Sequence, residues 1–545
     1  MALIEVPSIA TIWAAIILIL AIRFSVKLYS ARRAIYEYRS QGLPMPPWNP
    51  LFGHLFFCYQ ITSKLPKDAH PNYLPDMIRR TLPDLGPIYY LDTWPFGPQM
   101  LVVASTHGLH QITQEHSLPK YHAMKYFLKP ISEGLDIVTM EGDLWKTWRG
   151  IFNPGFSAAH LMGLTTNIVE ETARFCDILQ DCSTARETFR MKNLTDNLTM
   201  DIIGRVVLDT SLNSQRQKNP LVDGLRMQIR WLTFGADVNP FTRYNPLRPL
   251  VHWYNSRRMN NYVSKEIDSR FARLQASWDH SNERGKSIID LVLTAYLTER
   301  KDSAKLRLPL DSTFKKFTMS QIKLFLFSGH DTTSSTVCYI FYTLATRPDI
   351  LARVRSEHDE LLGPDVSRTA SLVATDPVLL NKLPFTSAVI KETLRLYPAV
   401  SSTRTGEPDF HVVDDLGRRY PTDGLLVWSN PVPIHRDPAY WQQPDDFIPE
   451  RWLVGPDSPL HPVKGAWRPF EHGPRNCIGQ ELAMIEMKVI IVMTARRFDF
   501  SIAYDELDNA KGTQRIKTVH GQRGYQIGRA QPANDLPCRV SNPDQ

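Results

Sequence analysis

The chain has 545 residues, 43% hydrophobic and 10% aromatic, and a net charge of +7. That composition excludes a largely disordered chain, and with no run of Lys/Arg it offers no nucleic-acid-binding arm. Six cysteines (Cys58, Cys176, Cys182, Cys338, Cys477, Cys538) in this length exclude a disulfide framework.

Ile9 to Ile22 is almost wholly apolar, and Phe24, Val26 and Leu28 carry the pattern past Arg23 and Lys27. About twenty residues are needed to cross a hydrocarbon core, so residues 1–30 read as a membrane anchor, with Arg23 and Lys27 snorkelling. Glu5 precedes the run, whereas Arg23, Lys27, Arg32, Arg33 and Arg39 lie within or after it. The positive-inside rule then places the short N-terminal end in the lumen and the bulk in the cytosol. A cleaved signal would want a basic stretch before the apolar run and a small-residue cleavage site after it, and neither stands out. Residues 31–50 hold Pro44, Pro46, Pro47 and Pro50 and read as a basic, proline-rich hinge. Residues 51–545 remain for one large domain.

Ile88–Leu91 and Met100–Ala104 have strand character. From about Glu141 to Leu396 the pattern is mostly helical, punctuated at Asn239-Pro240, Asn245-Pro246 and Arg248-Pro249. Two glycosylation-type sequons at Asn193 and Asn197 fall in an amphipathic run, Met191–Val207, where chance matches explain them better than a secreted loop does. Pro398 to Pro433 turns β-like, and short strands are expected around Val519, Tyr525 and Ile527. A long helical block with a small β part predicts a mainly α fold.

Within the helical block, Trp145 and Arg149 share a face. Phe327 to Thr336 combines Gly329 with a row of hydroxyls, poor choices for a helix interior, whose back-bonding opens a local pocket. Asp331 and Thr332 in that run offer a carboxylate and a hydroxyl for passing protons. Glu392 and Arg395 are one helical turn apart in an apolar neighbourhood, and Pro449-Glu450-Arg451 follows downstream. The most informative stretch is Phe470-Glu471-His472-Gly473-Pro474-Arg475-Asn476-Cys477-Ile478-Gly479. Gly473 permits a tight turn. Arg475 brings a positive charge near the cysteine, and Gly479 lets the backbone approach a flat ligand. The helix expected from Gln480 to Arg496 puts Cys477 just before a helix N-terminus, which favours negative sulfur. A lone cysteine is usually a buried, inert thiol; Phe470, Gly473, Arg475, Cys477 and Gly479 specified together have no use in that reading.

That stretch resembles the haem-binding loop of the cytochrome P450 family, Phe-x-x-Gly-x-Arg-x-Cys-x-Gly, and the resemblance extends from about Pro44 to the C-terminus. It implies the P450 fold, a single large haem domain after a transmembrane helix, and haem b (iron protoporphyrin IX) with Cys477 as thiolate axial ligand. A thiolate ligand pushes electron density to iron and favours O–O cleavage. The resemblance implies that Asp331 and Thr332 deliver protons, although Ser328 stands where Ala or Gly is usual. It implies that Trp145, Arg149, Arg404, Phe470 and Arg475 contact the haem, and that Glu392, Arg395 and Arg451 form a buried ionic cluster with a structural role. The lid over the haem would be Tyr121–Ile137, and Phe234–Pro249 and Val400–Arg404 would line the substrate route.

The implied activity is that of a membrane-anchored monooxygenase of the endoplasmic reticulum. No Rossmann glycine fingerprint follows a strand, so electrons from NADPH would come through a separate cytochrome P450 reductase docking near Cys477, with cytochrome b5 as a second donor. O2 and a lipophilic small molecule are the implied substrates. Gln480-Glu481-Leu482-Ala483, His435-Arg436-Asp437-Pro438 and Ser401-Ser402-Thr403 look most like filamentous-fungal members, many of which oxidise polyketides or terpenoids in secondary metabolism. The alternatives are a fatty-acid or sterol hydroxylase and a reductase-independent haem-thiolate isomerase; Asp331 and Thr332 argue against the isomerase. A haem sensor or carrier without turnover is the reading from another class, and substrate-responsive NADPH consumption separates it.

Overall fold

In the computed structural model, which describes residues 8–233, 245–277, 287–299, 309–510, 512 and 517–543, the apolar N-terminal segment is one helix, α1 (Ile9–Ser40). Ser8 caps it through a hydrogen bond from the Thr11 amide. Among the described residues it is the one helix long and apolar enough to cross a membrane, and the apolar stretch is exposed. The helix does not stop at residue 30. Ala31 to Ser40 continue it, because the chain-stiffening prolines begin only at Pro44 and the turn at Gly42 takes φ +73°. Residues 31–40 are therefore helical and not part of an extended hinge.

They are also docked. Arg32 is buried and gives Nη1 to the Asp92 carboxylate at 2.5 Å, Nη2 to the Trp94 carbonyl at 2.9 Å and Nε to the Leu51 carbonyl at 3.2 Å. Gln99 donates to the Ala31 carbonyl at 2.6 Å, and Phe24 packs on Trp94 with centroids 5.3 Å apart.

Strands β1 (Ile88–Asp92) and β2 (Gln99–Val103) pair antiparallel. Every residue of β1 is buried because the two faces enter different cores. Ile88 and Tyr90 join one apolar cluster and Tyr89 and Leu91 another, the period-two alternation of a strand covered on both sides.

The helices that build the site follow: α2 (Ala123–Ser132), α3 (Gly142–Phe152), α4 (Met191–Leu208), α5 (Pro220–Arg230) and α6 (Leu247–Ser277). The Arg248-Pro249 pair lies in the first turn of α6, where proline is tolerated because those amides lack intrahelical partners. Of the expected substrate-route segment, residues 234–244 lie outside the described residues. Both sequons sit in α4, whose Thr195 and Thr199 are buried.

The long central helix α7 (Ser312–Thr346) starts at an Asp311 cap whose carboxylate accepts from the Phe314 amide. It is buried nearly all round from Thr318 to Leu344, as a helix through the middle of a large core must be. After it come α8 (Pro384–Leu396), β3 (Ser402–Thr405) and β4 (Leu426–Ser429). The four strands form one sheet in the order β1-β2-β4-β3. Helix α9 (Gln480–Thr494) buries Leu482, Ile485 and Met487 to Thr494 apart from Lys488. Near the C-terminus lie β5 (Asp499–Ile502), the hairpin strands β6 (Gln526–Ile527) and β7 (Gln531–Pro532), and β8 (Pro537–Ser541). Val519 makes an isolated bridge to Gln522, Tyr525 precedes β6, and β8 was not anticipated. The fold is mainly α with small sheets.

Candidate active site

The loop before α9 is folded back on itself by the Cys477 amide donating to the Phe470 carbonyl at 2.9 Å and the Asn476 amide to Gly473 at 3.1 Å. Gly473 has φ +81°, and a Cβ there would lie 2.1 Å from the Thr113 carbonyl oxygen. Only glycine fits both the left-handed backbone and that contact. Cys477 is exposed, whereas Cys58, Cys176, Cys338 and Cys538 are buried. A cleft of about 250 Å³ beside it is lined by Arg149, Asn153, Phe156, Asn476, Ile478 and Gln480.

Crowding around the sulfur pushes the Cys477 thiol up, and the Gly479 amide, Arg149 and Lys120 act against that. Arg475 is not among these groups. Its Nη1 pairs with Glu141 at 2.5 Å, its Nη2 donates to the carbonyls of Val138 and Met140, and it lies 4.6 Å from the Trp145 ring centroid. Arg149 gives Nη1 and Nη2 to the Asn476 carbonyl and side-chain oxygens, both at 3.0 Å. Thus α3 brings Trp145 and Arg149 to the cysteine loop, as their shared face requires, and the donors of Arg149 and Arg475 named here are spent on holding that loop. Phe470 packs edge-on against Trp467 with centroids 6.0 Å apart.

Arg404 differs. It is fully buried on β3, and one donor, Nη1, reaches the Leu118 carbonyl at 2.8 Å. Its Nε and Nη2 are buried with no hydrogen-bond partner among the described residues. Burial lowers the Arg404 pKa to about 10. The isolated bridge Lys120–Arg404 sets Lys120 beside it, with its Nζ 3.3 Å from the Ser402 hydroxyl. Burial, then Arg404 and Arg475, pull the Lys120 pKa down to about 7. Neither cation has a carboxylate within ion-pair distance among the described residues. Glu141 is taken by Arg475, and Glu471 by Arg468 and Ser429. Two neighbouring cations with open donors next to an accessible thiol are what a ligand with two carboxylates on one edge would satisfy. Lys120 was missed in the sequence because the strand bridge that aligns it with Arg404 joins segments 284 residues apart by number, without a motif at its own position.

On α7 the hydroxyls bond back down the helix: Ser328 to the Leu324 carbonyl at 2.9 Å and Thr332 to Ser328 at 2.7 Å. Ser328 is exposed and Phe327, Gly329 and Thr332 are partly so, in a helix otherwise buried here, so this side of α7 fronts an internal space. Gly329 also serves packing, since a Cβ there would lie 2.9 Å from the Ile203 side chain of α4. Asp331 does not share the open side. Adjacent helix residues point about 100° apart, and its carboxylate is turned to Lys192 of α4 at 3.0 Å and to Arg529 at 2.6 Å. These cations outweigh burial and hold the Asp331 pKa below its usual value. The acid and hydroxyl expected to act side by side are thus held apart at rest. His330 is buried with Nδ1 2.6 Å from the Leu326 carbonyl, facing away from the open side.

The structure brings Glu392, Arg395 and Arg451 together with no exposure at all. Arg395 holds Glu392 through two bonds, Nη2–Oε1 at 2.7 Å and Nε–Oε2 at 3.0 Å, and its Nη1 reaches the carbonyls of His435 and Pro444. Glu392 also accepts from Arg451 at 3.2 Å, the Ile448 amide at 2.9 Å and Trp452 Nε1 at 3.2 Å.

A family model described as cytochrome P450 matches residues 43–527. The chain belongs to the cytochrome P450 family. It is 43% identical over 524 residues to cytochrome P450 monooxygenase polC of Polytolypa hystricis, covering 95% of this chain and 93% of that protein. It is 36% identical to cytochrome P450 monooxygenase acrF of Aspergillus aculeatus, covering 88% of this chain and 99% of that one. A crystal structure of the cytochrome P450DA heme domain shares the fold, with a TM-score of 0.67 at 20% identity over 92% of this chain and 96% of that chain. The protein is a P450 monooxygenase, and membership implies haem with a cysteine thiolate ligand. The residues fit that group: an accessible thiol at Cys477, a glycine at Gly479 beside it, and at Arg404 and Lys120 an opening for anionic side groups. When bound, haem supplies the iron at which dioxygen is activated for the oxidation.

Proposed function

We propose that this P450 takes electrons from NADPH through a separate cytochrome P450 reductase, with cytochrome b5 as a second donor, and inserts one atom of O2 into a lipophilic small molecule. The cofactor is haem b and Cys477 its ligand. Arg404 and Lys120 bind the propionates, while Trp145, Arg149 and Arg475 keep the cysteine loop in place and Phe470 packs beside it. Thr332 presents its hydroxyl on the open side of α7, and Asp331 supplies protons to it from behind. The anchor holds the protein in the endoplasmic reticulum membrane with the catalytic domain cytosolic.

The observation that carries this reading is the exposed Cys477 thiol in a glycine-shaped loop, set beside a half-buried Lys120 and a buried Arg404 with two donors unfilled among the described residues. Its test is the reduced carbon-monoxide spectrum. Cys477→Ser is expected to lose the thiolate-type Soret band, and retention of that band sinks the assignment. For the substrate we propose a polyketide or terpenoid intermediate of fungal secondary metabolism. The support is identity to P450 monooxygenases of Polytolypa and Aspergillus over nearly the whole chain. Disrupting the gene in its host and profiling metabolites should reveal an accumulated polyketide or terpenoid precursor; an accumulated fatty acid or sterol would overturn this choice.

A further inference from the structure

Glu141 occupies the N-cap position of α3 with an extended backbone, and Gly142 after it turns the chain at φ +61°. A carboxylate at an N-cap ordinarily accepts from the first-turn amides of its own helix. This one makes no such bond. Its two oxygens go to two distant segments instead: Oε1 accepts from the Lys120 amide at 2.8 Å and Oε2 from Arg475 Nη1 at 2.5 Å.

Each oxygen leads to a different wall of the site. On the Oε1 side, residues 118–121 run along β3. The Thr405 amide donates to the Pro119 carbonyl at 2.8 Å, the Tyr121 amide to the Thr403 carbonyl at 3.1 Å, and Arg404 Nη1 to the Leu118 carbonyl at 2.8 Å. Holding the Lys120 amide therefore holds the strand that carries Arg404. On the Oε2 side, Arg475 lies two residues before Cys477, and its side chain is buried. Arg475 also reaches the Val138 and Met140 carbonyls, so what Glu141 adds is the link to Lys120. The earlier end of the cysteine loop is held separately, by Glu471 accepting from the Ser429 hydroxyl of β4 at 2.7 Å. Ser429 pairs with Ser402 of β3. A loop fixed to the sheet at one point can pivot, whereas a loop fixed at two keeps one register. The haem macrocycle is rigid, so its iron ligand and its carboxylate partners must be presented at one spacing.

We infer that Glu141 is a positioning residue for haem, whose carboxylate spans the cysteine loop and the strand beside β3 and so sets the distance of Cys477 from Arg404 and Lys120. This rests on the proposed roles of those three residues toward the cofactor. The charge of Glu141 works against the same ligand, because a carboxylate beside the cations repels propionates. Geometry and charge therefore give opposite signs when Glu141 is neutralised. Glu141→Gln keeps one acceptor oxygen, so one of the two links breaks, and it removes the repelling charge. Glu141→Asp keeps the charge and falls one methylene short of bridging both partners.

Two readouts on the full-length holoprotein decide it. The first is haem transfer to an acceptor protein. Glu141→Gln and Glu141→Asp should both lose haem about threefold to tenfold faster than the parent, the effect of one charge-assisted hydrogen bond at a half-exposed site. Slower or unchanged loss in Glu141→Gln means that only the charge matters and overturns the inference. In an Arg404→Leu background, Glu141→Gln should accelerate haem loss less than it does in the parent, since residues acting through one network do not add; full additivity overturns the inference. The second readout is the reduced carbon-monoxide spectrum. Both variants should lose part of the thiolate-type Soret band while haem is still bound, and an intact band counts against the positioning role. The unfolding temperature of the apoprotein should stay at the parental value, because a half-exposed pair contributes little. A fall in step with haem loss would make Glu141 a fold element only and overturn the inference. If Cys477→Ser retains the thiolate-type band, the ligand assignment itself fails and takes the inference with it.

Discussion

Two groups of buried cations in this protein are built on opposite plans. Around Glu392, the guanidinium groups of Arg395 and Arg451 are met by a carboxylate, backbone carbonyls and the Trp441 ring, and among the described residues Arg451 Nη1 is the one guanidinium nitrogen of the pair left unbonded. Around Cys477, the buried Arg404 has two donors with no partner and the half-buried Lys120 has only a hydroxyl, among the described residues. A protein interior that tolerates open cations in one place while closing them in another is separating scaffold from ligand site. Open cations next to an exposed thiol belong to the ligand.

The largest way to break the comparison is to open the closed group. Glu392→Gln leaves two buried guanidinium groups facing a neutral amide, and breaking such a pair costs about 3–5 kcal/mol. Thermal unfolding of both apoprotein and holoprotein should show the loss. Removing an open cation should do the reverse to the apoprotein. Arg404→Leu is expected to leave apoprotein stability unchanged or raise it, since an unsatisfied buried charge disappears. Haem loss should meanwhile accelerate at least tenfold, because a hydrogen bond to a charged group contributes about 1.5–3 kcal/mol. Haem transfer to an acceptor protein measures the rate. An apoprotein as damaged by Arg404→Leu as by Glu392→Gln would erase the distinction.

The smallest effect is on pH dependence, through Lys120. Its pKa in the ligand-free protein is about 7, below the unfolded value near 10.4. The unfolded chain therefore binds more protons between those values, and apoprotein stability gains from this group as pH rises from about 7 to 10.4. The burial penalty is fully present below pH 7, where Lys120 is charged in both states. Lys120→Met should flatten that part of the stability profile. Bound propionates would raise the Lys120 pKa, so haem affinity should weaken as pH rises above 7 in the parent and less so in Lys120→Met.

How much could be read in advance follows the same division. The cysteine loop, the Glu392–Arg395 turn and the hydroxyl run on α7 are local in sequence. Their spacing encodes their geometry, and the structure places them on the loop and helices expected. What escaped depends on contacts made only in three dimensions. Lys120 gains its meaning from a strand bridge to Arg404, and Asp331 is turned by Lys192 and Arg529, which lie 139 residues before it and near the opposite end of the chain. Arg475 looked free to act beside Cys477, because nothing in its own motif announces Glu141 as its partner. Arg32 read as one of several basic residues behind an anchor. Its burial against Asp92 could not be inferred from composition, since exposed and paired arginines look alike in sequence.

That last contact changes what α1 is mechanically. A helix of 32 residues is about 48 Å long at 1.5 Å per residue, and its final third is pinned to the sheet through Arg32 and Ala31. The apolar end is then a lever arm with no joint between it and β1–β2. Whatever angle holds residues 9–28 is passed on to the body as its attitude, so that loosening Asp92 would turn a fixed mast into a tether.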